Sequence, residues 1–376
     1  MIGREACEAA FREAVAWCNP EKRVRGALER LPLHGANVFG IAIGKAALAM
    51  ARGAGPVARG VIVTNADDGR GVPAGWHTMV AAHPVPDERS LAAGDAVIDL
   101  IASASATDEV LVLMSGGASA LVERPLPGIS FDQLRTDIAA VMASGAPIHE
   151  LNRARIARSA IKGGKLAAMS LAPITTLVVS DVFDDDPAII GSGPTVPRRP
   201  QDRLLVVAAM HGFADTVHDV LAERGNLVEI VGPLTGDVTR VANELVYRAG
   251  GLRLHDGSVN MVLVAWGEPT IAVPRDHGDG GRAQQLALEL ARAFAGRAYD
   301  VLAIGSDGCD GPPPSNRPTP AGAFVDGRTW DAILAAGLDP QRALDRCDAG
   351  TALAAVGALV ITGPTGINHG DLVIVG

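Results

Sequence analysis

Val110-Leu-Val-Leu-Met-Ser-Gly-Gly-Ala-Ser-Ala-Leu121 decides how this chain folds. Five consecutive apolar residues, Val110 to Met114, suit a strand buried on both faces, as in a parallel sheet. Ser115, Gly116, Gly117 and Ser119 then open a helix and leave backbone N–H groups unobstructed at its start. A helix start carries partial positive charge and unpaired donors, so it favours anions, phosphate above all. A plain glycine-rich turn accounts for the same residues equally well.

Outward from this segment, apolar runs alternate with helical patterns. Strands are expected at Val38–Ile43, Gly60–Thr64, Thr78–Ala82, Glu109–Met114, Ile174–Ser180, Leu227–Val231, Val259–Ala265, Thr270–Val273, Tyr299–Ile304, Ala358–Thr362 and Asp371–Val375. Helices are expected at Lys45–Ala54, Asp87–Ser103, Phe131–Ser144, Asn152–Ser170, Arg203–His211, Asp237–Ala249 and Arg282–Ala295. This rhythm predicts an α/β fold with mainly parallel sheets, whose ligands sit beyond the C-terminal ends of strands. At 376 residues the chain exceeds what one core usually supports. The expected boundary lies near Gly232–Thr235, giving domains 1–232 and 233–376, with a helix over 3–17 free to pack on either.

Aromatics at 3% argue against a base-stacking surface, and a net charge of −9 argues against nucleic acid and anionic membranes. Cys7, Cys18, Cys309 and Cys347 have no metal-ligand spacing, and no HExxH occurs. No apolar run approaches the roughly 18 to 20 residues of a membrane span. A soluble cytoplasmic protein, monomer or homodimer, with a small-molecule substrate is expected.

Every segment suited to chemistry follows a strand. Gly44-Lys45 ends the first and precedes a helix, where a cation opposes the dipole; that favours a phosphate-binding lysine over a merely solvated one. It is not a Walker loop, since Ala46 stands where Ser or Thr would hold magnesium. Ser180-Asp-Val-Phe-Asp-Asp-Asp-Pro187 offers hard oxygen ligands for magnesium, Asp181 and Asp185 foremost, although an acidic solvated loop reads as well. Arg282, after Gly278-Asp-Gly-Gly, is badly placed for helix stability and well placed to meet an anion. Asp307 and Asp310 sit among glycines after another strand. Asn152-x-x-Arg155…Lys162-Gly-Gly-Lys165 reads by default as a solvated basic face, and His83 and His369 as structural histidines.

GIAIGKAALAMA, AAHPVPDERS, LMSGGASAL, NRARIARSAIKGGKLA and VVSDVFDDDPAIIGSGPT, in that order, resemble the N-terminal half of the glycerate 2-kinase family. WGEPTIAV, GDGGRAQQLALELA, IGSDGCDGP and ITGPTGINHGDL resemble its C-terminal MOFRL domain. Members often carry the label hydroxypyruvate reductase, yet no GxGxxG with a following ribose-binding acid is present. The resemblance implies a larger Rossmann-like parallel-sheet domain, a smaller α/β MOFRL-like domain and an active site in the cleft between them. It implies ATP- and magnesium-dependent phosphorylation of the 2-hydroxyl of D-glycerate, with Lys45 and Arg282 as active-site cations and Asp307 as the carboxylate of the GxDG loop. Ser115, Gly116, Gly117, Ser119 and Gly44 would then cradle the nucleotide phosphates, and Asp181 or Asp307 would accept the hydroxyl proton. Three positions depart from the family: Ala283 and Gly370 replace more usual asparagines, and Pro312–Pro320 interrupts the loop before Ala321. These departures predict an altered acceptor pocket, so a related hydroxy acid competes with D-glycerate as the expected substrate. An NAD(P)-dependent hydroxypyruvate reductase and a binding protein without turnover are the further alternatives.

Overall fold

Twelve strands form two six-stranded sheets, each in its own unit of the computed structural model, which describes residues 2–252, 260–312, 314 and 318–376. The first unit is Asn19–Met210. Its sheet runs β3-β2-β1-β4-β5-β6, all parallel, from β1 (Val38–Ile43), β2 (Arg59–Thr64), β3 (Trp76–Val80), β4 (Glu109–Met114), β5 (Ile174–Val179) and β6 (Arg203–Ala208). Alternate side chains feed two cores, the period-2 consequence of the pleat. Ile41, Ile43, Val110 and Val112 pack with Val97 and Ile101 of the helix Glu88–Ser103. Ala42, Leu111 and Leu113 pack with Val24 of Pro20–Arg30 and with Leu48 and Met50 of Ala47–Ala54. Local chemistry sets the helix starts. Asp87 and Ser90 form a reciprocal capping box, and Asn19 caps a helix opened by Pro20.

The second unit joins Met1–Cys18 to His211–Gly376. Its strands are β7 (Leu227–Leu234), β8 (Met261–Gly267), β9 (Asp300–Gly305), β10 (Gly322–Asp326), β11 (Leu359–Val360) and β12 (Asp371–Val375), in the order β11-β10-β9-β12-β8-β7. The division at 210/211, rather than near 232, follows from hydrogen bonding: β7 pairs with β8, so it and the helix Gly212–Glu223 belong to this sheet. The N-terminal helix Arg4–Trp17 also belongs here, with Phe11 edge-on to Phe213 at 5.7 Å. This sheet is not mainly parallel as expected; only β7 and β8 run parallel, and the pairs made by β9, β10, β11 and β12 are antiparallel.

Several expected elements differ. Arg203–Ala208 is a strand, not a helix; as the edge strand of its sheet it is half exposed, which blurs alternation. Asn152–Ser170 is two helices, Ile148–Arg158 and Lys165–Ala168, parted by Gly163 and Gly164 at φ 65° and 76°. Thr270 makes one isolated bridge to Asp237 and no strand follows. Val259, the expected first residue of β8, lies outside the described residues.

Candidate functional site

The strand order of the first sheet reverses between β1 and β4, since the chain lays β2 and β3 on one side and β5 and β6 on the other. Loops leaving adjacent strands at such a point diverge and open a crevice at their C-terminal ends. Gly44 and Lys45 leave β1 there, Ser115–Ser119 leave β4, and Asp181 follows β5.

These loops are tied together by short bonds. Ser115 N–H donates to the Ile43 carbonyl (3.0 Å), Lys45 N–H to the Gly116 carbonyl (2.9 Å) and Ala46 N–H to Ser115 Oγ (3.1 Å). Ser115 is 2% exposed, so its hydroxyl fastens β1 to β4 and does not face a ligand. Gly44 is required by this closeness, because a Cβ there would lie 2.1 Å from Ser115 Oγ. At Gly116 a Cβ would lie 1.9 Å from Asp181 Oδ2; the missing side chain leaves the Asp181 carboxylate against the turn. Gly117, at φ 88°, faces His83 and the Lys45 side chain. Burial first, then the charges of Lys45 and Arg155, lower the His83 pKa and keep its imidazole neutral at pH 7.

The helix expected after this turn is a single turn, Ala118–Leu121, of 4 residues. So short an element sums little dipole; the positive charge near the turn comes instead from Lys45 and Arg155, both felt by His83. Ser119 shares a hydrogen bond with Ser192 (Oγ to Oγ, 3.0 Å). Asp185, expected beside Asp181 as a metal ligand, has φ 52° and its Oδ1 accepts the Met210 N–H (2.8 Å), tying its loop to the end of β6. Among the described residues no three His, Cys, Asp or Glu side chains gather as a metal site. A magnesium ion held by one carboxylate and substrate phosphates needs no such group, and the side-chain-free turn at Gly116 beside Asp181 suits it.

The second unit gathers its own set around a cavity of about 360 Å³ lined by Arg282, Asp307, Cys309, Asp310, Asn368 and Asp371, among others. Arg282 opens the helix Arg282–Ala293. Its Nε and Nη2 donate to Asp371 (2.6 and 3.2 Å), and its Nη1 to Glu268 Oε1 (2.7 Å). Burial pulls the guanidinium pKa down, but the two carboxylates outweigh it and the pKa rises. Burial likewise pushes the Asp371 carboxyl up to about 7, against the pull of Arg282. Asp310 is no ligand group: both its oxygens accept N–H bonds at the helix start, from Ala283 (3.0 Å) and Gln284 (2.8 Å). Asp307 is exposed, with Oδ1 accepting the Cys309 N–H (2.9 Å), and shares the surroundings of Gly305 with Asp371.

Residues 6–223 match a domain described as of unknown function (DUF4147), and residues 261–371 match the MOFRL family. A D-glycerate 2-kinase of Thermotoga maritima is 32% identical over 99% of this chain and 96% of its own length. The chain belongs to the glycerate 2-kinase family. A glycerate 2-kinase of Pyrococcus horikoshii is 30% identical over 100% of this chain and 98% of its own length. A relative in Agrobacterium vitis named a putative hydroxypyruvate reductase is 32% identical over 99% and 94%. The crystal structure of a Thermotoga maritima glycerate kinase matches with a TM-score of 0.90 at 29% identity, covering 99% of this chain and 98% of that one.

Within this family, the three departures noted in the sequence do not weigh equally. Ala283 is 1% exposed and is absent from the lining of this cavity, so an asparagine there would bury its amide. Gly370 does line the cavity, at φ 68°, a conformation asparagine tolerates better than most residues. Residues 313 and 315–317 of the proline segment lie outside the described residues. Two residues beside these clusters were not among the site residues expected from the sequence. Asp371 opens the wholly buried strand β12, and a charged residue heading a buried strand was the available signal. Arg155 was assigned to a solvated face, and nothing in its spacing marks it otherwise.

Proposed function

We propose that this chain is an ATP- and magnesium-dependent kinase that phosphorylates the 2-hydroxyl of D-glycerate to give 2-phosphoglycerate. The observation that carries the reading is the convergence of Lys45, Gly116, Gly117 and Asp181 at the point where the parallel sheet changes direction. Relatives matching along nearly their whole length carry the name D-glycerate 2-kinase. Phosphoryl transfer asks a protein chiefly for positioning and charge neutralisation. Lys45 would neutralise the transferring group, and the bare turn at Gly116 and Gly117 would admit phosphate oxygens to backbone N–H groups. Asp181 would hold the magnesium, which when bound neutralises charge on the phosphates. Arg282, oriented by Asp371 and Glu268, would bind the acceptor carboxylate or the transferring phosphoryl through its remaining N–H groups. Asp307 or Asp181 would take the hydroxyl proton.

The test is a coupled ADP-release assay over a panel of hydroxy acids, with phosphorus NMR of the product. Magnesium-dependent ADP release with D-glycerate and a 2-phosphoglycerate signal is the expected result. NADH consumption with hydroxypyruvate and no ADP release would overturn it, and a strong preference for another hydroxy acid would move the acceptor.

A further inference from the structure

Five cations lie between residues 153 and 165. Four have partners. Arg153 pairs with Glu150 (3.7 Å) and Arg158 with Asp137 (2.6 Å). Lys162 pairs with Glu123, both buried, and Lys165 donates to the Ile156 and Ser159 carbonyls at the C-terminal end of the helix Ile148–Arg158. Arg155 is the exception: among the described residues no hydrogen bond or ion pair engages its guanidinium. It is half-buried, and burial lowers its pKa with Glu123 opposing. Glu123 is committed elsewhere, its oxygens taking bonds from Lys162, Ser159 Oγ (2.5 Å) and Arg124 N–H (2.9 Å). A partly desolvated guanidinium with no carboxylate bonded to it is unfavourable, and an anionic ligand would offset that cost.

Arg155 is also held in place. Asn152, one turn earlier on the same helix, is buried; its Nδ2 donates to the Ile189 carbonyl (3.2 Å) and its Oδ1 accepts from Ser192 Oγ (2.9 Å). Ser192 bonds in turn to Ser119, in the segment that carries the Gly116-Gly117 turn. Arg155 and Ser119 line one small cavity with Pro84, next to His83, which also feels the charges of Lys45 and Arg155. At about 40 Å³ and lined largely by apolar side chains, with Glu123 and Arg135 also in its wall, this cavity is far below the roughly 300–1,000 Å³ of a pocket for a whole ligand. What ties Arg155 to the turn is its charge on His83, which lies against Gly117.

We propose that Arg155 is an anion-binding residue of the Gly116-Gly117 site, its guanidinium receiving a phosphate or carboxylate oxygen of a substrate beside Ser119. The proposal rests on the kinase reading only for the identity of the two anions. The test is calorimetric binding of inorganic tripolyphosphate and, separately, of D-glycerate to the wild-type chain and to Arg155→Met and Arg155→Lys, with circular dichroism to verify folding. Loss of a charge-assisted bond predicts that Arg155→Met weakens one of the probes about 10- to 100-fold, with partial recovery in Arg155→Lys. Weakened tripolyphosphate binding assigns Arg155 to the phosphate donor, and weakened glycerate binding assigns it to the acceptor. Should Arg155→Met not fold, Arg155→Lys is measured alone and a loss of at least threefold in either probe is required. Unchanged binding of both probes by a folded variant, or no binding of either by the wild type, overturns the proposal. Because binding is read without turnover, an absence of kinase activity overturns the proposed function and leaves this result standing.

Discussion

Lys45 and Arg282 are both cations at the end of a strand, and the two units treat them in opposite ways. Lys45 is exposed, and among the described residues no ion pair engages it. Arg282 is clamped by Asp371 and Glu268 before any ligand arrives. On the proposed reading, the first arrangement leaves the neutralisation of Lys45 to the ligand and draws anions in. The second surrenders much of its attraction for anions and fixes the guanidinium plane instead, which suits recognition of a carboxylate in one orientation. The difference teaches that charge count at a site is a poor guide to what the charge does; its partners decide that.

Removing either cation should have the largest effect. Lys45→Ala and Arg282→Ala are each expected to lower kcat on the order of 10²–10³-fold in the ADP-release assay, the range for loss of one charge-stabilising group. If only one of them does so, the two units do not contribute equally to the chemistry. Glu123→Ala leaves Lys162 buried without its partner and should cost about 3–5 kcal/mol in urea unfolding. Activity per folded molecule would fall less than in the cation variants, because the pair is buried and supports the segment carrying Arg155 and Ser119.

Asp371→Asn should sharpen the contrast further. With its pKa pushed up to about 7, the Asp371 carboxyl is protonated below neutrality and ionised above it. The clamp on Arg282 therefore strengthens as pH rises through 7, and wild-type kcat/KM should rise with it. The asparagine variant should lose about 10-fold in kcat/KM above pH 7 and lack this rising limb. The smallest effect is expected from Glu268→Gln. Its carboxylate is half exposed, so the bond to Arg282 is solvent-screened, and KM for the acceptor should change no more than about threefold. A large kcat loss in this variant would mean that Glu268 does more than orient Arg282.

The first unit was largely legible in the sequence because a parallel sheet writes itself as apolar runs. β1 and β4 have the expected bounds, and both end at the glycines that matter. Two strands were harder. β6 is an edge strand beginning with Arg203, and β10 is five residues starting at a glycine. The domain boundary was misplaced because membership in a sheet is a long-range property: β7 looks like any other strand until its partner β8 is known. At the candidate sites, Gly44, Lys45, Gly116 and Asp181 fall where a strand-to-loop reading put them. Ser115, Ser119 and Asp185 were chosen for chemical type, yet local hydrogen bonds occupy them. Asp371 and Arg155 depend on tertiary partners, or on lacking them, and sequence spacing carries neither.

The position of β12 also bears on how the chain is made. Twelfth in chain order, it lies between β8 and β9 near the middle of its sheet. The first unit, Asn19–Met210, can finish folding as it emerges from the ribosome, whereas the helix Arg4–Trp17 must wait for residues synthesised long after it. Until Asp371–Val375 is released, β8 and β9 each have one bare edge, an open template for pairing with other chains. Loss of these five residues would thus leave a polypeptide with one intact half and one that sticks to its neighbours.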